Sequence, residues 1–211
     1  GESTLAFYGY EWAGVDPENG KNRWYVNDPD DPTAGEFLLK GRGASYDWRD
    51  ANYIINGDGI PNVFGGLGTD LEYKGITLGA NFIYKIGGDL YDGASKDVVD
   101  DGYYWERIRA QYQYDNMWTV EEPTRSLPKI EGFDPTDAIQ YSSRNLYDAS
   151  FIRLKNITLA YNLPVNFLNK VNVDNTRIYF NGTNLLTFSQ YKLADPEVNQ
   201  YSTRGWETPY G

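Results

Sequence analysis

The chain has 211 residues, a formal net charge of −11, and neither Cys nor His. That charge argues against nucleic acid, whose phosphates must be met by Lys and Arg. The missing Cys and His remove disulfide frameworks and the usual zinc, copper and haem ligand sets.

No run approaches the ~18 apolar residues of a membrane-spanning helix, which excludes a helical membrane protein but leaves a membrane β-barrel open. The 19 Tyr, 6 Trp and 9 Phe fit sugar-stacking surfaces, protein interfaces and barrel girdles alike. The chain starts Gly1-Glu2-Ser3, without an initiator Met or a leader pattern. Residues 1–60 read as an aromatic strand (Phe7–Trp12), the turn Asp16-Pro17-Glu18-Asn19-Gly20, a strand over Arg23–Val26, and an acidic, Pro-rich linker.

Residues 62–87 carry the clearest signal. Ile76, Leu78, Ala80, Phe82, Tyr84 and Ile86 alternate with Thr77, Gly79, Asn81, Ile83 and Lys85, which is period two and predicts a strand with one apolar side. Upstream, Val63, Leu67, Leu71 and Tyr73 alternate with Asn62, Gly66, Gly68, Asp70 and Glu72. Tyr73-Lys74-Gly75 between them is a short turn in which Gly75 can take φ > 0. The stretch is one long hairpin.

Residues 88–150 exceed ordinary loop length and are expected to be functional or partly structured. Tyr104, Ile108 and Tyr112 at i, i+4, i+8 predict a short helix near 97–113, followed by a segment punctuated by Pro123, Pro128 and Pro135. A second hairpin follows over 151–188. Ile157, Leu159, Tyr161 and Leu163 share one parity with Lys155, whereas Ile152 and Leu154 have the other, so a bulge is expected near 154–156. After a turn through Pro164–Asn175 comes a strand with Ile178, Phe180, Leu186 and Phe188 on one side and Arg177, Asn181, Thr183 and Thr187 on the other. Soluble strands average about five or six residues, and a tilted strand crossing a bilayer needs about nine to eleven. These are long enough for the second kind. Their other faces, with Gly79, Asn81, Thr158 and Asn181, suit a wet lumen. About five or six strands are expected in all.

Several side chains invite a functional reading beside a plainer one. Trp105 and Trp118 could stack on sugar rings, but packing within a folded loop is the commoner use. Arg107 and Arg109 could grip anionic groups; a solvated helix face is the plainer reading. Tyr73, Tyr84, Tyr91 and Tyr161 lie near strand ends and fit interface girdles, against plain β-propensity. Asp28, Asp30 and Asp31, and separately Asp97, Asp100 and Asp101, are oxygen-rich enough for Ca²⁺. Neither set has EF-hand spacing, so solvated loop charge is preferred and no metal is assigned. Asn156-Ile157-Thr158 and Asn181-Gly182-Thr183 match the glycosylation sequon but sit inside strands. No carboxylate pair is singled out for glycosidic chemistry, and no catalytic, cofactor-binding or substrate-contacting residue is named.

Four blocks, in order, resemble the SusC/RagA family of TonB-dependent outer-membrane transporters. They are Phe7–Gly20, Asn62–Gly88 with Phe64-Gly65-Gly66 and Tyr73-Lys74-Gly75, Ser150–Pro164, and Arg177–Tyr191 with Asp195-Pro196-Glu197. Met117-Trp118-Thr119-Val120-Glu121-Glu122-Pro123 departs from the family's loop motif at the corresponding place.

The resemblance implies an all-β fold: antiparallel strands of a partial outer-membrane β-barrel with long extracellular loops, from the C-terminal part of a barrel of about 22 strands. Residues 62–87 and 151–188 would be barrel hairpins, with 1–60, 88–150 and 189–211 extracellular. Tyr73–Gly75 and Pro164–Asn175 would be periplasmic turns. The plug, the TonB-contacting segment and the last strand would lie outside these residues.

The implied function is non-enzymatic: import of oligosaccharides or peptides across the bacterial outer membrane. The implied partners are a SusD-like lipoprotein, TonB and the lipid bilayer. The alternatives are a soluble secreted β-sandwich acting as a carbohydrate-binding module, and a glycoside hydrolase accessory domain.

Overall fold

The computed structural model describes residues 1–103, 106, 108–130, 140–164, 176–191 and 193–197. They fall into two compact units, residues 1–59 with 89–147 and residues 60–88 with 148–197. In chain order the strands are β1 (Ala6–Gly9), β2 (Trp12–Val15), β3 (Asn22–Tyr25), β4 (Phe37–Leu39), β5 (Arg42–Ser45) and β6 (Ile54–Asp58). Then come β7 (Val63–Tyr73), β8 (Ile76–Ile86), β9 (Asp89–Tyr91), β10 (Leu146–Asp148), β11 (Phe151–Asn162) and β12 (Arg177–Ser189). That makes twelve among the described residues rather than five or six. The difference lies in three- to five-residue strands that leave little alternation to read.

The first unit holds a sheet in the order β2-β3-β5-β4 and the pairs β1–β6 and β9–β10. Asn22 and Trp24 on β3 and Val26 just beyond it alternate inward, and the Trp24 side chain is fully buried. Gly43 on β5 is dictated by space: a Cβ there would lie 1.7 Å from the Ala34 carbonyl oxygen. The loop before β4 folds directly onto it, with the Gly43 N–H donating to the Pro32 carbonyl at 2.9 Å.

The aromatic strand expected over Phe7–Trp12 breaks at Tyr10 and Glu11 into β1 and β2. The helix expected near 97–113 is corrected as well. A 3₁₀ turn spans Ser95–Asp97, and the one α-helix among the described residues, α1, covers Gln111–Asn116. Ile108 is 91% exposed rather than buried on a helix face, and Tyr104 lies outside the described residues.

The second unit is a single four-stranded antiparallel sheet in the order β12-β11-β8-β7. Its strands are 11, 11, 12 and 13 residues long. β7 and β8 pair without a slip from Val63↔Ile86 to Tyr73↔Ile76. Lys74 and Gly75 join them with φ of 48° and 82°, as the two positive-φ residues of a type I′ turn require.

Between β8 and β11 the ladder shifts: Leu154 faces Phe82, Asn156 faces Asn81, and Lys155 is the extra residue. The shift has a physical reason. Without it, Ile152 and Leu154 would point to the face opposite Ile157, Leu159 and Tyr161; one inserted residue puts all five on one side. On β12, Asn184 and Leu185 together stand opposite Lys155. Asn184 takes φ of 52°, a conformation Asn tolerates better than most residues.

Candidate functional site

The sheet of the second unit has two chemically distinct faces, traced by its register. One carries the rows Gly65–Tyr84–Ile152–Phe188, Leu67–Phe82–Leu154–Leu186, Thr69–Ala80–Ile157–Gly182, Leu71–Leu78–Leu159–Phe180 and Tyr73–Ile76–Tyr161–Ile178. This apolar face has no second sheet against it within the unit among the described residues. Leu67 is 68% and Phe180 63% exposed. A β-sandwich would bury these side chains between layers ~10 Å apart, so the sandwich alternative is corrected here.

The opposite face carries Gly68–Asn81–Asn156–Thr183 and Asp70–Gly79–Thr158–Asn181. Thr158 Oγ1 donates to Asn181 Oδ1 at 3.0 Å across the β11–β12 pair. A Cβ on Gly79 would meet the Asp70 carboxylate at 2.7 Å, and one on Gly68 the Asn81 amide at 2.6 Å. Polar side chains thus lie flat over glycines of the neighbouring strand, leaving a smooth hydrogen-bonding wall. Phe64, Ile83, Phe151 and Tyr179 share this face by parity and interrupt it with apolar surface.

The strongest electrostatic feature of the polar face is Arg153 on β11. Its side chain is only 6% exposed and binds the carboxylates of both Asp195 and Glu197. The Arg153 Nε donates to Thr187 Oγ1 at 2.9 Å, and Lys155 Nζ reaches both Glu197 oxygens at 3.3 Å. The Arg153 guanidinium, followed by the backbone N–H of Glu197, holds the Asp195 carboxyl below the usual Asp range.

The first unit carries an aromatic chain running outward from its core. Tyr10 lies 6.3 Å from the buried Trp24, 5.1 Å from Trp48 and 4.3 Å from Tyr53, and Tyr53 lies 5.4 Å edge-on to the half-exposed Tyr8. Two buried acid–base pairs hold the 89–147 segment. Asp101 accepts both ends of the Arg144 guanidinium and also Asn22 Nδ2, while Asp100 accepts Arg109 Nε at 2.8 Å and the Gly102 N–H at 3.0 Å. Arg144 also sits 5.6 Å from the Trp12 ring centre. At the first turn, burial pushes the Asp16 carboxyl up. The Tyr46 hydroxyl at 2.5 Å and the Glu18 N–H at 2.8 Å outweigh that and leave it below its usual range.

The residues singled out by sequence separate cleanly. Tyr73, Tyr84 and Tyr161 lie on the apolar face, Tyr73 and Tyr161 both opposite Ile76. Tyr91 is corrected: it is buried in the first unit, stacked on Tyr141 at 4.2 Å. Trp118 donates its indole N–H to the Pro17 carbonyl at 3.0 Å and packs on Gly20, so it serves the loop fold. Arg109 pairs with Asp100 instead of facing solvent; Trp105 and Arg107 lie outside the described residues.

Asp28 and Asp31 accept hydrogen bonds from the backbone N–H groups of their own loop. Asp100 and Asp101 are corrected from solvated loop charge to partners of guanidinium groups. Among the described residues no group of three or more acidic side chains is placed to hold a metal. Arg144 and Arg153 were missed, because the residues they bind lie 42 to 44 positions away in the sequence.

No family model matches the chain. It is 30% identical over 207 residues, 94% of its length, to TonB-dependent receptor P3 of Formosa agariphila, and 30% identical over 154 residues to TonB-dependent receptor P26 of the same organism. It spans 19% and 15% of the lengths of those receptors. The solved RagAB peptide transporter is similar over 90% of the chain and 20% of the transporter chain, with 28% identity and a TM-score of 0.70. The RagAB peptide importer in its 'open-open' state is similar over 90% of the chain and 19% of its own, with 28% identity and a TM-score of 0.60.

Proposed function

We propose, from the premise that this chain is a segment of a TonB-dependent receptor of the SusC/RagA kind, that it forms part of the wall of a nutrient importer. Its place is the bacterial outer membrane, where that family resides. The cargo is an oligosaccharide or a peptide, a SusD-like lipoprotein is the extracellular partner, and TonB supplies energy through parts of the receptor outside this chain. Peptide is the cargo of the similar RagAB transporter.

The observation that carries this reading is the two-faced sheet of long strands. Lipid has no hydrogen-bonding groups, so a spanning sheet must satisfy its backbone by pairing and present only apolar side chains outward. The apolar rows do this over a suitable height. Ile76 and Tyr84, eight residues apart on β8, are separated by about 27 Å of strand, or roughly 20 Å of membrane height at a tilt of about 40°. Tyr73 and Tyr161 would mark one interface and Tyr84 the other. The Lys74–Gly75 turn then lies on the periplasmic side, and residues 1–60, 88–150 and 189–211 emerge on the extracellular side.

The test is cysteine labelling of the full-length receptor in outer membranes, in a background free of other cysteines. Leu71→Cys and Ile178→Cys should resist a charged, water-soluble maleimide and react with a membrane-soluble one. Asp70→Cys and Asn181→Cys should do the reverse. Equal reaction of all four with the charged reagent would remove the lipid-facing assignment. Deleting the gene should abolish growth on one of the two cargo classes as sole nutrient; unchanged growth on both would remove the importer.

A further inference from the structure

A single-layer sheet leaves side chains on both faces open to solvent unless something lies over them. On the polar face of β11, however, Phe151 and Arg153 are both more than nine-tenths buried. Over Arg153 the cover includes two carboxylates from the segment just after β12. Ser189 Oγ donates to the Ser150 carbonyl at 3.0 Å and accepts the Tyr191 N–H at 3.2 Å, which starts a reversal of the chain. Tyr191 and Pro196 are themselves buried. Asp195 and Glu197 then arrive over β11 and meet Arg153 and Lys155, so two acids face two bases.

We infer that Asp195 and Glu197, in the segment after β12, form an ion-paired strap over the polar face of β11 that closes this stretch of the lumen wall until its pairs release. The inference rests on the barrel reading for the identity of the lumen. The geometry of the pairs suits a releasable contact. Arg153 is also held by Thr187, whereas the side chains of Asp195 and Glu197 are 54% and 41% exposed. Water and salt therefore reach the acidic half of each pair, which makes these half-exposed pairs sensitive to salt. The fork of one guanidinium on two carboxylates, joined by Lys155, gives the strap one preferred seat. Opening bares two adjacent cations, Arg153 and Lys155, one row from Lys85 on the same face.

The experiment uses the full-length receptor in outer membranes, with Ile83→Cys as the probe, because Ile83 lies directly opposite Arg153 on the polar face. Asp70→Cys on the same face, two rows away, is the control. The charged maleimide should react slowly at position 83 while the strap is seated. Asp195→Asn with Glu197→Gln should speed that reaction about tenfold, equivalent to about 1.4 kcal/mol in the closing equilibrium. High salt should reproduce the effect, and Asp195→Glu should retain slow labelling. Position 70 should not respond to any of these.

An unchanged rate at position 83 in the double variant would overturn the strap. So would equal acceleration at position 70, which would mean that the sheet had loosened as a whole. Failure of the barrel reading shows elsewhere, as attack of the charged reagent on Leu71→Cys, and leaves the rates at 83 and 70 to judge the strap alone.

Discussion

The two units spend their sequence in opposite ways. The unit formed by residues 1–59 and 89–147 uses strands of three to five residues, buries Trp24, and fixes its long segment with guanidinium–carboxylate pairs. The unit of residues 60–88 and 148–197 uses strands of 11 to 13 residues and leaves Leu67 and Phe180 largely uncovered. Water explains the first arrangement: an irregular segment must bring its own core and satisfy its own polar groups. The second arrangement would be unstable in water, where exposed apolar faces and open strand edges associate. It is the form a sheet takes when lipid covers one side. The lesson is that solvent is written into a fold unit by unit, and that each unit fails by a different kind of substitution.

The largest effect is expected in the first unit, where charge is buried. Asp101→Asn keeps the size and the tolerance of positive φ that position 101 needs (φ of 54°) but removes the negative charge facing Arg144. Taking one partner from a buried pair costs about 3 kcal/mol or more. The variant should therefore show faster proteolysis and hydrogen exchange across 95–147, with the strands of the second unit unchanged. Equal loss of protection in both units would show that the excursion and the sheet fold as one cooperative body, and the contrast between them would fall.

A somewhat smaller effect separates two adjacent residues of β8. Ala80 is in the middle row of the apolar face, between Thr69 and Ile157, while Asn81 points the other way. Ala80→Arg should destabilise the receptor by about 2–4 kcal/mol in denaturant titrations in lipid vesicles, as Arg does at a bilayer midplane, and Asn81→Arg by much less. If the two cost the same, the faces do not differ in solvent, and the central contrast is lost.

These contrasts were unevenly legible in the sequence. Alternation from Ile76 to Ile86 stands out because eleven residues repeat one environment, and the parity change between Leu154 and Ile157 exposes the bulge because a sheet cannot split its apolar set. The first unit offered no such repetition. β1 pairs with β6 across some fifty residues, Ala6 opposite Asp58, and Asp101 finds Arg144 at a separation of 43. Such pairs leave no local pattern, so Asp100 and Asp101 looked like solvated acids. Tyr91 looked like a girdle residue for the same reason: its burial depends on Phe7 and Tyr141, from two distant segments. The polar-face acids were visible only as the motif Asp195-Pro196-Glu197, with nothing in the sequence to say that Arg153 lay beneath them.

The smallest effect sharpens the comparison from the side of the long hairpin, where backbone rather than solvent decides. Lys74 holds φ of 48° in a two-residue turn, a conformation that costs an ordinary L-residue about 1–2 kcal/mol and Asn less. Lys74→Asn creates the Asn-Gly pair that type I′ turns favour. It should raise stability in lipid vesicles by up to about 1 kcal/mol, seen as a higher denaturant midpoint with an unchanged slope. Gly75→Ala should act in the opposite direction, because position 75 needs φ of 82° and an added Cβ would come within 3.1 Å of the Asn162 carbonyl oxygen. A gain from Lys74→Asn without a loss from Gly75→Ala would mean that charge at the turn, rather than its dihedral angles, limits this hairpin.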